Sequence, residues 1–105
     1  YSIFDQRLKT CGWLQKLRDN DVEVHVRSVF LQGLLLMERE QRPEKFKRWD
    51  ETWDQWESWL KENNLTALQA CISWVKFEEN IDCFVAGVDS VEHFQQILVH
   101  HLFFQ

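Results

Sequence analysis

Few residues in this chain break regular structure or cross-link it. The 105 residues include three glycines, one proline and three cysteines, and we find no linker, repeat or low-complexity segment. Cys11, Cys71 and Cys83 share no Cys-x-x-Cys spacing, which argues against the common zinc and dithiol motifs. An odd number of cysteines without metal spacing predicts free thiols in a reducing compartment, and we therefore expect a cytoplasmic protein.

Long apolar runs and basic stripes are also missing. The sequence contains no run of about 18 apolar residues that could span a membrane, and no signal-peptide pattern. The net charge is −5 and the pI about 5.3, which argues against a nucleic-acid phosphate track. A nucleophile elbow, a glycine-rich phosphate loop with Lys and a His-Glu-x-x-His helix are all absent. We expect neither nucleic acid nor a membrane as a partner, and no metal site.

What the chain does contain is typical of a small globular domain. Hydrophobic residues make up 45% and charged residues 28%, so the chain is not a disordered one. Aromatic residues reach 14%, which is more apolar area than a chain of this size readily hides. We treat residues 1–105 as a single, partial domain with a missing partner surface. The only methionine is Met37, which fits an excised or truncated piece or a processed start.

The hydrophobic pattern predicts alternating strands and helices. Val22, Val24 and Val26 alternate with polar residues, which is typical of a strand. The last strand is almost continuously apolar, as in a strand covered on both faces. The first half of the chain is predicted to contain a strand tail over 1–4, a helix from 8 to 18, a turn over 19–21, a strand over 22–30 and irregular structure over 31–42. The second half is predicted to contain helices over 43–60 and 65–77, a turn over 78–80, a strand over 81–88 and a final amphipathic helix through Leu102. Asp89 is the predicted cap of this last helix, and Glu92 completes a capping box.

Three segments resemble parts of the aldo-keto reductases, in that family's order and spacing. Residues 1–7 resemble the segment that leaves the sixth barrel strand, residues 27–33 the segment after the seventh strand, and residues 81–93 the eighth strand with the turn into its helix. The resemblance implies an α/β fold with parallel strands and flanking helices. It corresponds to the C-terminal third of a (β/α)8 TIM barrel, from the end of strand six to helix eight, because a complete barrel needs about 250 residues.

The resemblance also implies a function and a set of binding residues. The parent enzyme would reduce an aldehyde or ketone, a small carbonyl substrate, by hydride transfer from NADP(H) or NAD(H). Its catalytic Tyr, Lys, Asp and His lie on earlier strands, so no residue here is catalytic and we expect the chain alone to be inactive, with doubtful cofactor binding of its own. The cofactor-binding residues implied are Arg27, Ser28, Phe30, Gln32, Gly33, Gly87, Asp89, Ser90 and His93.

Each part of this binding set has a plainer interpretation. The turn from Gly87 to His93 is also an ordinary strand-to-helix turn with a capped helix, although such a turn suits a phosphate. Asp89 would repel a phosphate and His93 is only a part-time cation, so the choice between NADP and NAD stays open. Arg27 could equally be a strand-end charge that reaches solvent.

Other residues that could carry chemistry are better explained by packing. A stripe of Trp49, Trp53 and Trp56 could form a substrate hood or a partner surface, but its helical spacing favours a helix packed on the barrel wall. His25 has no obvious acidic partner. His100 and His101 point about 100° apart on a helix and cannot share a ligand.

A second hypothesis belongs to a different class. The chain could be a small α/β interaction module, or a decayed barrel fragment, without enzymatic activity. Its open strands at 22–30 or 81–88 would then pair with a second copy, giving self-association through the sheet edges.

Overall fold

The computed structural model describes residues 1–103, and the side chains of residues 1–100. Its helices are α1 (Arg7–Thr10), α2 (Trp13–Asp19), α3 (Asp50–Glu62), α4 (Ala67–Phe77) and α5 (Val91–Phe103), and its strands are β1 (His25–Val26) and β2 (Cys83–Phe84). Three 3-10 turns precede α3, at Leu34–Leu36, Arg39–Gln41 and Glu44–Trp49. Helices and strands alternate as predicted, so the α/β class is confirmed.

The two strands form one parallel sheet. His25 pairs with Cys83 and Val26 with Phe84, and the backbone N–H of Val85 donates to the Val26 carbonyl at 2.8 Å. Both strands are much shorter than predicted. Regular pairing in β1 ends before Ser28, whose φ of +63° is incompatible with an extended strand.

The prediction that the last strand is covered on both faces is wrong for this chain. Cys83 and Val85 are exposed, whereas Phe84 and Ala86 are partly buried against the core. Only one face of the sheet therefore packs against helices among the described residues. The opposite face carries His25 and Cys83.

The first predicted helix is divided in two. Gly12 adopts φ +85° and separates α1 from α2, a conformation that glycine enters without steric cost. The predicted strand tail over 1–4 is instead a turn, in which Ser2 and Asp5 exchange backbone hydrogen bonds of 3.0 Å. The backbone nitrogen of Tyr1 reaches the Arg27 carbonyl at 2.9 Å, so this turn lies beside the end of β1.

The core lies between one face of the sheet and the helices. Helix α4 contributes most to it, because Ala70, Cys71, Ile72 and Val75 are each 3% exposed or less. The predicted helix over 43–60 begins later than expected. Pro43 precedes a 3-10 turn over Glu44–Trp49, and helix α3 begins at Asp50. Among the described residues all three cysteines are free thiols, which confirms that prediction. No helix in this part of the chain is long and apolar enough to cross a membrane.

Candidate functional site

A groove opens where the two strands end. Because β1 and β2 are parallel, their carboxyl ends lie at the same edge of the sheet, which is where α/β proteins place ligands. The loop that follows β1 forms one wall and the turn that follows β2 forms the other, around a cavity of about 740 Å³. His93 of α5 also lines the groove, and Leu36 and Met37 contribute apolar surface.

All of the predicted cofactor-binding residues except Ser90 border this groove. They are Arg27, Ser28, Phe30, Gln32, Gly33, Gly87, Asp89 and His93. The two segments lie more than 50 positions apart in the sequence, so only the parallel pairing of the strands brings them together.

Ser90 has a structural role. Its Oγ accepts the backbone N–H of His93 at 3.0 Å, which makes Ser90 the N-cap of α5. The prediction that Asp89 caps this helix is therefore wrong. The Asp89 carboxylate is 92% exposed and lies 3.3 Å from Nδ1 of His93.

The loop after β1 has an unusual backbone. Ser28, Leu31 and Gln32 have φ between +50° and +63°, and Gly33 has φ +85°. Left-handed conformations are costly for residues with a Cβ, and they concentrate where a loop clamps a ligand. Among the described residues no acceptor receives the backbone N–H of Gln32 or Gly33. The loop thus offers unpaired donors at the groove.

The charges around the groove are sparse and mixed. Arg27 brings the one guanidinium among the described lining residues, and Asp89 brings the one carboxylate. Arg27 and Gln32 are exposed and can reach a ligand, whereas Phe30 is 6% exposed and also belongs to the core. The N-terminus of α5 adds the partial positive charge of a helix dipole.

His93 faces the groove from the first turn of α5. Its side chain is 16% exposed, and its ring lies 6.0 Å from the Phe30 ring. Both ring nitrogens are buried without an aligned hydrogen bond, although Asp89 lies close to Nδ1. An imidazole carries one N–H donor in either neutral tautomer, so this ring has a donor available at the groove beside a helix N-terminus.

Sequence reasoning missed part of the groove lining. Leu36, Met37 and Gln41 come from the segment predicted to be irregular, and Val85 and Val88 from the end of the predicted strand. The apolar run from Leu34 to Leu36 was a signal that this segment folds back on the core. No local pattern indicated which of these residues would face the groove.

The tryptophan stripe divides into buried and exposed members. Trp53 and Trp56 are 4% and 6% exposed, and Phe4 packs against both rings with centroids 5.3 Å away. Trp49 and Trp59 are 42% and 41% exposed. The central part of the stripe is therefore core, as the helical spacing favoured, and none of these rings borders the groove.

The histidines outside the groove differ from expectation in one case. The expectation that His25 lacks an acidic partner is wrong, because its Nε2 lies 2.6 Å from Oε1 of Glu23. His100 is buried and its Nε2 lies 2.7 Å from Oγ of Ser73, as expected for a packing residue. The side chain of His101 lies outside the described residues.

Comparison with known proteins identifies the family. The model of the Aldo/keto reductase family matches residues 1–102, which is nearly the whole chain. No curated protein and no solved structure gives a significant match. The matched region contains both walls of the groove. The chain therefore belongs to the aldo/keto reductase family of oxidoreductases.

Proposed function

We propose that this chain forms the C-terminal third of an aldo/keto reductase barrel and supplies part of its cofactor platform. The parent enzyme reduces an aldehyde or ketone, and the dihydronicotinamide of NAD(P)H supplies the hydride. Two parallel strands with flanking helices suit the segment from strand six to helix eight. The whole of residues 1–105 then acts as one partial domain.

This proposal rests on one observation, that two loops line the same groove. The loop from Arg27 to Gly33 and the turn from Gly87 to His93 meet at the carboxyl ends of the strands, where dinucleotides bind in α/β folds. The exposed guanidinium of Arg27 suits the phosphate charge. The unpaired N–H groups of Gln32 and Gly33 suit phosphate oxygens, and the α5 dipole adds a further attraction.

In our proposal the groove positions the cofactor, and its described lining residues include no Tyr to act as the acid in carbonyl reduction. In the family the proton comes from a Tyr supported by Lys, Asp and His on earlier strands. None of the residues here takes those roles in our proposal. The chain alone should therefore not oxidise NADPH in the presence of an aldehyde or ketone.

Cofactor binding is tested by titrating the isolated chain with NADPH and with NADH, using saturation-transfer NMR on the cofactor resonances. Arg27→Gln removes the guanidinium at the groove and should weaken binding about tenfold, or ~1.4 kcal/mol. The matched control is Arg48→Gln, since Arg48 is also exposed but packs on Trp49 away from the groove.

The two variants must differ for the proposal to stand. Equal binding by Arg27→Gln and Arg48→Gln would place the cofactor elsewhere on the surface. An absence of saturation transfer at millimolar cofactor would contradict cofactor binding by this chain alone. Weakening at higher ionic strength is expected in either binding case, because the attraction is electrostatic.

Asp89 sets the preference between the two cofactors. Its carboxylate is 92% exposed beside the groove, where it would repel a 2′-phosphate and can accept from a 2′-hydroxyl. We expect Asp89→Asn to raise the NADPH-to-NADH affinity ratio by roughly 3- to 10-fold. Asp21→Asn, at an exposed turn before β1, is the control. An unchanged ratio would contradict this role.

Self-association without enzymatic activity is the second candidate. The sheet has two strands and two open edges, and Val85, Val91 and Phe94 are 48–73% exposed. Sedimentation velocity over a concentration series tests this idea. A concentration-dependent dimer that is lost in Val85→Lys supports the module, whereas a monomer at all concentrations contradicts it.

The net charge and the free cysteines bear on the partners and the cellular location of the protein. The net charge of −5 opposes binding to nucleic acid or to anionic membrane surfaces. Free cysteines fit the reducing cytoplasm. We therefore propose that the protein is cytoplasmic. The proposed substrate of the parent enzyme is a small carbonyl compound.

A further inference from the structure

Three metal-ligand side chains meet on the sheet face that no helix covers within residues 1–103. Glu23 and His25 are two positions apart in an extended segment, so their side chains point to the same face. His25 pairs in register with Cys83 on the neighbouring strand, which places the thiol beside the imidazole. No sequence spacing indicated this cluster, since Cys83 lies 58 positions after His25.

The distances are close to those that one small cation requires. Oε1 of Glu23 lies 2.6 Å from Nε2 of His25, and the ligand atoms of all three residues lie within 4.8 Å of one another. Tetrahedral zinc, with metal–ligand bonds of about 2.0–2.3 Å, holds its ligand atoms roughly 3.3–3.8 Å apart. Small rotations about exposed side-chain bonds reach that geometry from the present one.

The donor types favour zinc over harder cations. A thiolate with an imidazole selects Zn²⁺, whereas Mg²⁺ and Ca²⁺ prefer a set made only of oxygen atoms. The neighbouring Asp82 is already engaged, because its carboxylate accepts from the Val24 N–H at 2.7 Å and pairs with Arg18 at 3.3 Å. The cluster therefore offers three ligands and leaves a fourth position for water.

We propose that Cys83 Sγ, His25 Nε2 and Glu23 Oε1 bind one Zn²⁺ ion. The Cys83 thiol loses its proton to solvent when the Sγ–Zn bond forms. The Nε2–H of His25, which faces Glu23, is lost through solvent as the ring takes its Nδ1–H tautomer and Nε2 binds the ion, and no electron is transferred. The ion replaces the direct contact between Glu23 and His25. The site is separate from the groove. It lies on the sheet face that is open in this chain and that would face the interior of a complete barrel, so the proposal concerns this chain by itself.

The direct test is a Co²⁺ titration of the metal-free chain under reducing conditions, followed by Zn²⁺ competition. We expect one equivalent of Co²⁺ to give a thiolate-to-cobalt charge-transfer band, which Zn²⁺ then removes. Cys83→Ser should abolish the band and weaken Zn²⁺ binding at least tenfold, since losing even an outer partner of a site costs 10- to 100-fold. Glu23→Gln should weaken binding and keep the band.

Cys11→Ser is the matched control. Cys11 is an exposed free thiol like Cys83, but it lies outside the ligand cluster. The control should retain the band and the affinity. Unchanged binding in Cys83→Ser, or the absence of a charge-transfer band in the parent chain, would overturn the proposal.

A second measurement uses no variant of the three metal-ligating residues, so it remains informative if such a variant fails to fold. Zn²⁺ should slow alkylation of Cys83 by iodoacetamide at least tenfold, and leave the rate at Cys11 unchanged, as read by peptide mass spectrometry. Equal rates at Cys83 with and without Zn²⁺ would contradict metal binding there. Equal protection of both thiols would point to nonspecific binding and would also contradict it.

Discussion

At the scale of single residues, backbone strain and burial are the features that bear on the stability of the fold. The loop after β1 holds three residues with a Cβ in the left-handed region, and each conformation costs about 1–2 kcal/mol. Such strain persists only where surrounding contacts impose it. In this loop Val29 and Phe30 are core residues, 1% and 6% exposed, and they connect the loop to the packed interior.

Gln32→Gly should stabilise the chain. Gln32 is exposed with φ +57°, so glycine relieves strain without loss of packing, and we expect a gain of roughly 0.5–1 kcal/mol. Urea unfolding measures this gain. The control Gln15→Gly, in the interior of α2, should lose about 1 kcal/mol. A loss at both positions would show that the left-handed conformation carries no strain.

Cys71 makes stability depend on alkaline pH. Burial raises the pKa of the Cys71 thiol from about 9 to about 12. Between these values the unfolded chain releases a proton that the folded chain keeps, so stability is fully present below pH 9 and falls as the pH rises toward 12. The expected slope is up to about 1.4 kcal/mol per pH unit.

Urea unfolding between pH 8 and pH 10.5 measures this dependence. Cys71→Val should remove most of the slope, whereas Cys11→Ser should retain it because Cys11 is exposed in the folded state. The same slope in Cys71→Val as in the parent chain would rule out Cys71 as its source.

At the scale of elements, ion pairs connect segments that are distant in sequence. Lys9 of α1 lies 2.6 Å from Oε2 of Glu78 at the end of α4. Arg42 lies 3.1 Å from Glu57 of α3 and stacks over the Trp53 ring. These contacts hold α1 to α4, and the segment before α3 to α3 itself.

Glu78 should contribute to stability at neutral pH. The Lys9 ammonium lowers the pKa of Glu78, whose side chain is only 10% exposed. The contribution is present above the ordinary pKa of about 4.5 and is lost as the pH falls through the lowered folded-state value. We expect Glu78→Gln to lower the Tm at pH 7 by a few degrees.

Calorimetry at pH 7 and pH 3 checks this prediction. Glu79→Gln is the control, because Glu79 is adjacent but exposed. The difference between the two variants should shrink at pH 3, as the pH approaches the lowered pKa of Glu78 and its ion pair with Lys9 is lost. A difference that persists unchanged at pH 3 would mean that the ion pair is not its source.

At the scale of the whole molecule, stability is distributed unevenly. Helix α4 is the centre of the core, whereas the sheet consists of two short strands with one exposed face. In a (β/α)8 barrel that exposed face is the interior and both edges are paired. Within this chain the sheet therefore depends on the helices for its support.

Hydrogen exchange should reflect this distribution. We expect the amides of Cys71 and Ile72 in α4 to exchange most slowly, and the Val85 amide to exchange at least tenfold faster, because its strand is short and at an open edge. Exchange followed by mass spectrometry with peptide resolution measures both rates. Slower exchange at Val85 than in α4 would indicate that further chains pair with the sheet.

The sequence by itself determined the order and type of most elements, although the predicted strand tail over 1–4 is a turn and the first predicted helix is divided in two. The alternation of valines predicted β1, and the spacing of Trp53 and Trp56 predicted α3. Pro43 indicated where the segment leading into α3 begins. These signals were readable because they depend on local periodicity and backbone geometry. The family resemblance also followed from local motifs, and the family match over residues 1–102 confirms it.

Only the tertiary structure decided where the elements end and which side chains meet. Strand length depended on pairing and on the left-handed Ser28, so predicted strands of eight or nine residues became two-residue ladders. The cap of α5 moved from Asp89 to Ser90 because hydrogen-bond geometry, and not residue type, selects between adjacent oxygen acceptors. The groove and the cluster of Glu23, His25 and Cys83 both depend on parallel pairing between distant segments, which no local pattern encodes.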